Sequence, residues 1–130
     1  MTFGSLLRVD LTTGSIRPDT IPAGYIRDYV GGSALGARIL WDLLDPALDP
    51  LDPRQALLWV TGPLTGSAGP ATGRFTVCGR SPQTGLWGEA NIGGFVGPEL
   101  RLAGWDAVLV TGRAPEPAYL WVHDQRAELR

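Results

Sequence analysis

From Thr61 to Gly97 the chain reads TGPLTGSAGPATGRFTVCGRSPQTGLWGEANIGGFVG, and ten of its eighteen glycines fall in this stretch. Arg74, Arg80 and Glu89 are its only charged residues. A segment so poor in side chains cannot build a core of its own. It must hang between strands, and its glycines cost conformational entropy unless backbone has to approach something closely. That something is either another backbone, in a series of turns between strands, or a flat polar ligand gripped by main-chain N–H groups. The polar side chains set among the glycines, Arg74 and Asn91 above all, are the candidates for specific contacts. Arg74 either pins a turn, pairs with Glu89, faces solvent, or meets an anionic or heteroatom-rich partner.

The flanking sequence supplies strands and helices on which such a stretch can hang. Leu7, Val9 and Leu11 alternate with Arg8 and Asp10, the pattern of a half-buried strand. Thr12-Thr13-Gly14-Ser15 turns the chain, and Ser15 to Ile21 returns as a second strand. Pro22 opens a helix over Ala23 to Val30, and Gly31-Gly32 breaks it. Ser33 is placed to cap a second helix with Leu35, Ile39, Leu40 and Leu43 at helical spacing, ended by Asp45-Pro46. Pro46, Pro50 and Pro53 with Asp45, Asp49 and Asp52 make a surface connector; the three aspartates could in principle hold a cation. Ala56 to Val60 reads as a buried strand and Arg74 to Gly79 as another. Pro98 to Ala103 makes a helical turn, Ala107 to Thr111 and Ala118 to Val122 two more strands, and Arg126 to Arg130 a last strand-like run.

Composition narrows the function. At 130 residues the chain is one domain, long enough to bury a core. Its net charge is −2, and all eleven basic residues are scattered arginines, which argues against a nucleic-acid-binding face. No apolar run reaches the roughly 18 residues of a membrane span, and the N-terminus lacks the pattern of a secretory signal, so a cytoplasmic setting is expected. Cys78 is the single cysteine and His123 the single histidine. Neither an internal disulfide nor an all-cysteine metal site can form, and Cys78, in the run Phe75-Thr76-Val77-Cys78, is expected to be a core thiol. His123 is expected on the surface. Gly31-Gly32-Ser33-Ala34-Leu35-Gly36 misses a dinucleotide fingerprint at its middle position and follows no convincing strand.

A wider pattern then emerges. Leu7-Arg8-Val9-Asp10-Leu11-Thr12-Thr13-Gly14 is followed by Gly62-Pro63-Leu64-Thr65-Gly66, Gly73-Arg74-Phe75 and Ser81-Pro82. Asn91 with Gly93-Gly94-Phe95, Glu99-Leu100, Ala103-Gly104-Trp105-Asp106-Ala107 and Tyr119-Leu120-Trp121 complete it. In this order and spacing the segments resemble the N-terminal domain of the aldehyde ferredoxin oxidoreductase family, the tungsten–bispterin enzymes. The resemblance runs along nearly the whole chain.

It implies an α+β domain rich in antiparallel β-sheet with a short helical segment. Residues 1–130 would be the first part of a duplicated, metallopterin-binding domain. It implies that Arg74 contacts a pterin, and that the backbone carbonyl of Asn91 binds a magnesium ion bridging the pterin phosphates. Gly93, with Gly94 beside it, would be where backbone approaches the pterin. These residue types suit the roles: arginine offers a planar fork, and magnesium takes hard oxygen ligands beside phosphates. Two positions depart from the family. Ser33 stands where the family commonly has arginine, and Cys78 stands where cysteine is unusual, so Cys78 is no cofactor ligand.

The resemblance also implies what else such an enzyme needs. The second pterin-binding half, the 4Fe-4S cluster and the residues around tungsten or molybdenum would lie in the remainder of the oxidoreductase, on the same chain or a separate subunit. The complete enzyme would interconvert aldehydes and carboxylic acids and pass electrons to ferredoxin or a similar acceptor. Relatives in the family reduce aromatic thioesters. The isolated chain is expected to be inactive and prone to self-association. The alternative, suggested by length, is a stand-alone non-enzymatic module that binds a small ligand or a partner.

Overall fold

The structure, a computed structural model, describes residues 3–130. Eleven elements follow one another among these residues: β1 (Ser5–Asp10), β2 (Ser15–Thr20), α1 (Ala23–Tyr29), α2 (Gly32–Trp41), β3 (Leu57–Val60), β4 (Phe75–Arg80), β5 (Trp87–Ile92), α3 (Val96–Leu102), β6 (Ala107–Thr111), β7 (Leu120–His123) and β8 (Arg126–Leu129). Six strands form one sheet in the order β2-β1-β6-β3-β4-β5, and β7 and β8 form a separate hairpin. Every pairing is antiparallel except β1 with β6. The architecture is α+β and rich in antiparallel sheet, as the sequence led us to expect.

Both faces of the sheet are covered, which is why its central strands are apolar on both sides. Side chains alternate across a strand, so Leu58 and Val60 of β3, and Ala107 and Leu109 of β6, face one way. They form a core with Leu35, Ile39 and Leu40 of α2. Trp59, Val108 and Val110 face the other way and meet Leu100 of α3 and Leu120, Val122, Ala127 and Leu129 of the hairpin. The strand expected to be half-buried follows the same rule. Leu7 and Val9 enter the hairpin-side core, while Leu6 enters the helix-side core. The polar partner on that second face, Arg8, pairs with Asp19 of β2.

The helix α2 lies on β3 and β4, and Gly36 in its middle, without a side chain, lets it come close. A Cβ on Gly36 would stand 2.7 Å from Cys78 Sγ and 3.2 Å from Val60 Cγ1. The thiol of Cys78 is 1% exposed, as expected of a core residue. Burial in this apolar site, with the Glu89 carboxylate adding to it, pushes the thiol pKa up to about 12.

Several local expectations shift. Ser33 does not cap α2: the capping position is Gly31, with no side-chain hydrogen bond. Val30, a β-branched residue, takes φ 63° and ψ −67° at the break between the helices, and Gly31 N donates to Tyr29 O at 2.7 Å across it. This is the geometry of a strained γ-turn. Leu43 lies beyond the end of α2 and is 38% exposed, so the apolar spacing overran the helix. Pro98–Ala103 falls inside and just past the longer helix α3, and the strand expected from Ala118 begins at Leu120. The largest difference is β5, which lies within the stretch we had read as turns. Asp45, Asp49 and Asp52 each accept a backbone N–H two residues on, at 2.9, 2.8 and 2.9 Å. Such turns make them part of the connector, and no metal-holding cluster of acidic, cysteine or histidine residues occurs among the described residues. Nor is any described helix long and apolar enough to cross a membrane.

Candidate functional site

The glycine-rich stretch wraps the far end of the sheet, around β4 and the edge strand β5. Its two candidate polar residues meet there. Arg74 immediately precedes β4, and Asn91 in β5 stands opposite Thr76. Arg74 donates Nε–H to Asn91 Oδ1 and Nη2–H to the Asn91 backbone carbonyl, the latter at 3.0 Å. Asn91 Nδ2 donates to Thr76 Oγ1 at 3.4 Å. Thr76 is 1% exposed, so the amide of Asn91 is tethered on one side to the core and on the other to the guanidinium.

Gly93 and Gly94 complete an exposed ledge beside this pair. A Cβ on Gly93 would sit 3.5 Å from Arg74 Nη1, whereas one on Gly94 would point into open space. Gly94 adopts φ 106°, a conformation only glycine takes without strain. Behind the ledge the packing is closed: a Cβ on Gly73 would stand 2.7 Å from the Gly94 carbonyl oxygen. The chain segment before Arg74 and the segment after β5 are therefore locked backbone against backbone. Gly32, the first residue of α2, lies beside Thr76, whose Oγ1 is 3.8 Å from where a Cβ would be. Gly32 N–H is itself engaged, donating to the Thr61 carbonyl at 2.9 Å.

The charge balance of the ledge is uneven. Glu89 does not pair with Arg74; it accepts the Trp87 indole N–H at 3.0 Å. Among the described residues Arg74 forms no ion pair, and its partners are the neutral oxygens of Asn91. Arg80 contrasts with it, since its guanidinium donates to the backbone carbonyls of Leu48 and Gly85, at 2.5 and 2.9 Å, and ties loops together. Among the described residues, then, Arg74 is an exposed cation without an acidic partner, beside two glycines that add no side chain.

Residues 6–130 match the family described as "Aldehyde ferredoxin oxidoreductase, N-terminal domain". The chain belongs to the aldehyde ferredoxin oxidoreductase family. It is 41% identical over 128 residues to a Pyrococcus abyssi protein named "tungsten-containing aldehyde ferredoxin oxidoreductase", covering 98% of this chain and 21% of that protein. It is 35% identical over 132 residues to a Pyrococcus furiosus protein named "aliphatic sulfonate oxidoreductase, WOR-like subunit", covering 98% of this chain and 20% of that one. A solved structure, "Active site complex BamBC of Benzoyl Coenzyme A reductase in complex with 1,5 Dienoyl-CoA", contains a chain that superposes with a TM-score of 0.95 at 37% identity. The superposition covers 98% of this chain and 19% of that one. The chain therefore spans about a fifth of the length of these relatives.

The ledge presents a guanidinium beside bare glycine backbone, an arrangement that suits a flat, anionic group rich in heteroatoms. The Asn91 carbonyl oxygen has a second lone pair beyond the one engaged by Arg74. The structure thus brings together all four residues singled out in the sequence: Arg74, Asn91, Gly93 and Gly94. Missed in the sequence were Thr76, which anchors Asn91, and Thr65, whose hydroxyl donates to the Arg74 carbonyl at 2.9 Å. Thr76 carried no sequence signal beyond its position in the glycine-rich stretch, whereas Thr65 stood in the segment Gly62-Pro63-Leu64-Thr65-Gly66 without a role assigned to it.

Proposed function

We propose that this chain is the N-terminal, cofactor-binding part of a tungsten- or molybdenum-bispterin oxidoreductase that interconverts aldehydes and carboxylic acids. The observation that carries this reading is the ledge, where Arg74, without an acidic partner among the described residues, stands beside Asn91 and two bare glycines, in a chain of this family. In this reading Arg74 binds the pterin through its planar fork. The Asn91 backbone carbonyl would hold a magnesium ion that accompanies the cofactor, and Gly93 and Gly94 would let backbone approach. The bound metallopterin supplies the redox chemistry, and this segment supplies binding and orientation. The remainder of the oxidoreductase provides the second pterin-binding half and a 4Fe-4S cluster, from which ferredoxin or a similar carrier takes electrons in the cytoplasm. By itself the 130-residue chain is inactive.

A second reading, reduction of an aromatic thioester, is favoured by the 0.95 TM-score to the benzoyl coenzyme A reductase chain at nearly the same identity. The test is made on the full-length protein carrying this chain. Tungsten, molybdenum and pterin are quantified, and aldehyde oxidation and aromatic thioester reduction are assayed with artificial electron carriers. Bound metal and pterin with aldehyde oxidation support the first reading. Activity on the thioester alone replaces it with the second. Absence of metal and pterin in folded protein from metal-replete cells overturns both and leaves a non-enzymatic binding module.

A further inference from the structure

We propose that Thr65 is the positioning residue for Arg74, fixing where its guanidinium stands toward the bound cofactor. The proposal rests on the cofactor reading of Arg74 given above. Thr65 is 8% exposed and closes the turn that leaves β3, its N–H donating to the Gly62 carbonyl at 3.0 Å. Its hydroxyl has two partners. It accepts the Gly62 N–H at 3.0 Å and donates to the Arg74 carbonyl at 2.9 Å. Its methyl is in use as well: Cγ2 is 3.1 Å from where a Cβ on Gly97 would be, and the same point is 3.2 Å from the Gly73 carbonyl oxygen. One buried side chain therefore touches the segment entering the ledge, at Arg74, and the segment leaving it, at Gly97.

The other end of this connection is rigid. The Gly62 carbonyl accepts Arg101 Nη1–H at 3.3 Å, and the same Nη1 is 3.0 Å from Asp106 Oδ1. Asp106 is 5% exposed, and its second oxygen accepts the Gly4 and Ser5 N–H groups at 2.6 and 2.8 Å. Through Thr65, then, the main chain of an exposed arginine is registered against a buried ion pair that also fixes the start of β1. The side chain of Arg74 is long and its contacts to Asn91 lie at the surface, so they cannot hold its backbone. The bond from Thr65 holds the Arg74 carbonyl itself from the interior, beside the close packing of Gly73 on Gly94 and the pairing of Phe75 with Ile92. Losing the hydroxyl frees the Arg74 backbone while leaving the charge in place.

The test compares Thr65→Val, Thr65→Ser, Arg74→Ala and Thr65→Val/Arg74→Ala in the full-length protein. The readouts are pterin and metal per folded molecule and the melting temperature of the cofactor-free form. We expect Thr65→Val to lower occupancy about tenfold, the effect of losing roughly one well-made hydrogen bond, and Thr65→Ser to restore it. In the Arg74→Ala background Thr65→Val should add nothing, because its effect passes through Arg74. Full occupancy in Thr65→Val beside a loss in Arg74→Ala overturns this inference and leaves the cofactor reading standing. An equal further loss on top of Arg74→Ala also overturns it, because Thr65 then serves the fold at large. Full occupancy in Arg74→Ala overturns the cofactor reading and the inference with it. Should Thr65→Val fail to fold, Thr65→Ala against Thr65→Ser reads the same hydroxyl: a loss in Ala restored in Ser supports the proposal, and equal occupancy overturns it.

Discussion

Replacing Gly36 by alanine tests how closely α2 sits on the sheet. Helix propensity favours the change: alanine is about 1 kcal/mol better than glycine inside a helix. Packing opposes it. The new Cβ would stand 2.7 Å from Cys78 Sγ and 3.2 Å from Val60 Cγ1, and both neighbours are buried. Forcing an extra carbon into a filled core costs about 1–3 kcal/mol, so the net effect is a loss of about 1 kcal/mol. The sulfur is the closer obstacle, so removing it should reverse the sign. In a Cys78→Ala background, Gly36→Ala should stabilise by about 0.5 kcal/mol, the propensity gain less the residual contact with Val60. Urea unfolding followed by tryptophan fluorescence reads both effects, with Trp59 in β3 and Trp105 as core reporters. With a slope of about 2 kcal/mol per molar urea, the midpoint should fall by about 0.5 M in the native background and rise slightly in the Cys78→Ala background. Stabilisation by Gly36→Ala in the native background, or the same shift in both, would refute the close approach of helix and sheet.

Asp106→Ala should cost about 3–5 kcal/mol, because it strands Arg101 and two backbone N–H groups in the interior; a melting temperature within a few degrees of wild type would count against the ion pair. Val30→Gly should stabilise by about 1 kcal/mol, since it relieves a β-branched residue at φ 63° on an exposed turn, and a drop in melting temperature would show that the turn is not strained. Cys78 should give the chain an alkaline instability. The folded thiol keeps its proton to about pH 12 against an ordinary value of 9.0, so unfolding releases a proton between these values and stability falls as pH rises through them. Stability measured from pH 8 to 11 should fall more steeply for wild type than for Cys78→Ala, and parallel curves would oppose this. Finally, Phe95, Trp41 and Leu86 are 83%, 82% and 71% exposed, and β5 is an open sheet edge. The isolated chain should therefore self-associate at high concentration in light scattering, and a monomer at every concentration would argue otherwise.

The sequence by itself determined the parts of this protein that depend on neighbours along the chain. Alternation placed β1, a short apolar run placed β3, helical spacing placed Leu35, Ile39 and Leu40 on the buried side of α2, and Cys78 was legible as core from its apolar strand. The candidate site was legible as four residues, because an arginine and an asparagine stand out in a stretch with so few side chains. Tertiary structure decided what needed partners distant in sequence. Trp87–Ile92 has the composition of a loop, and its strand exists because β4 offers a hydrogen-bonding edge along its whole length. Ser33 has the chemistry of a cap, but the chain enters α2 two residues too early for it to serve. That Arg74 meets Asn91 and not Glu89 follows from strand register, which sets Thr76 opposite Asn91 and Cys78 opposite Glu89. Pairing across a sheet is not written in the spacing of either strand. Because β5 is exposed along nearly its whole length, the register is fixed by the backbone ladder to β4 and by the turn that joins the two strands.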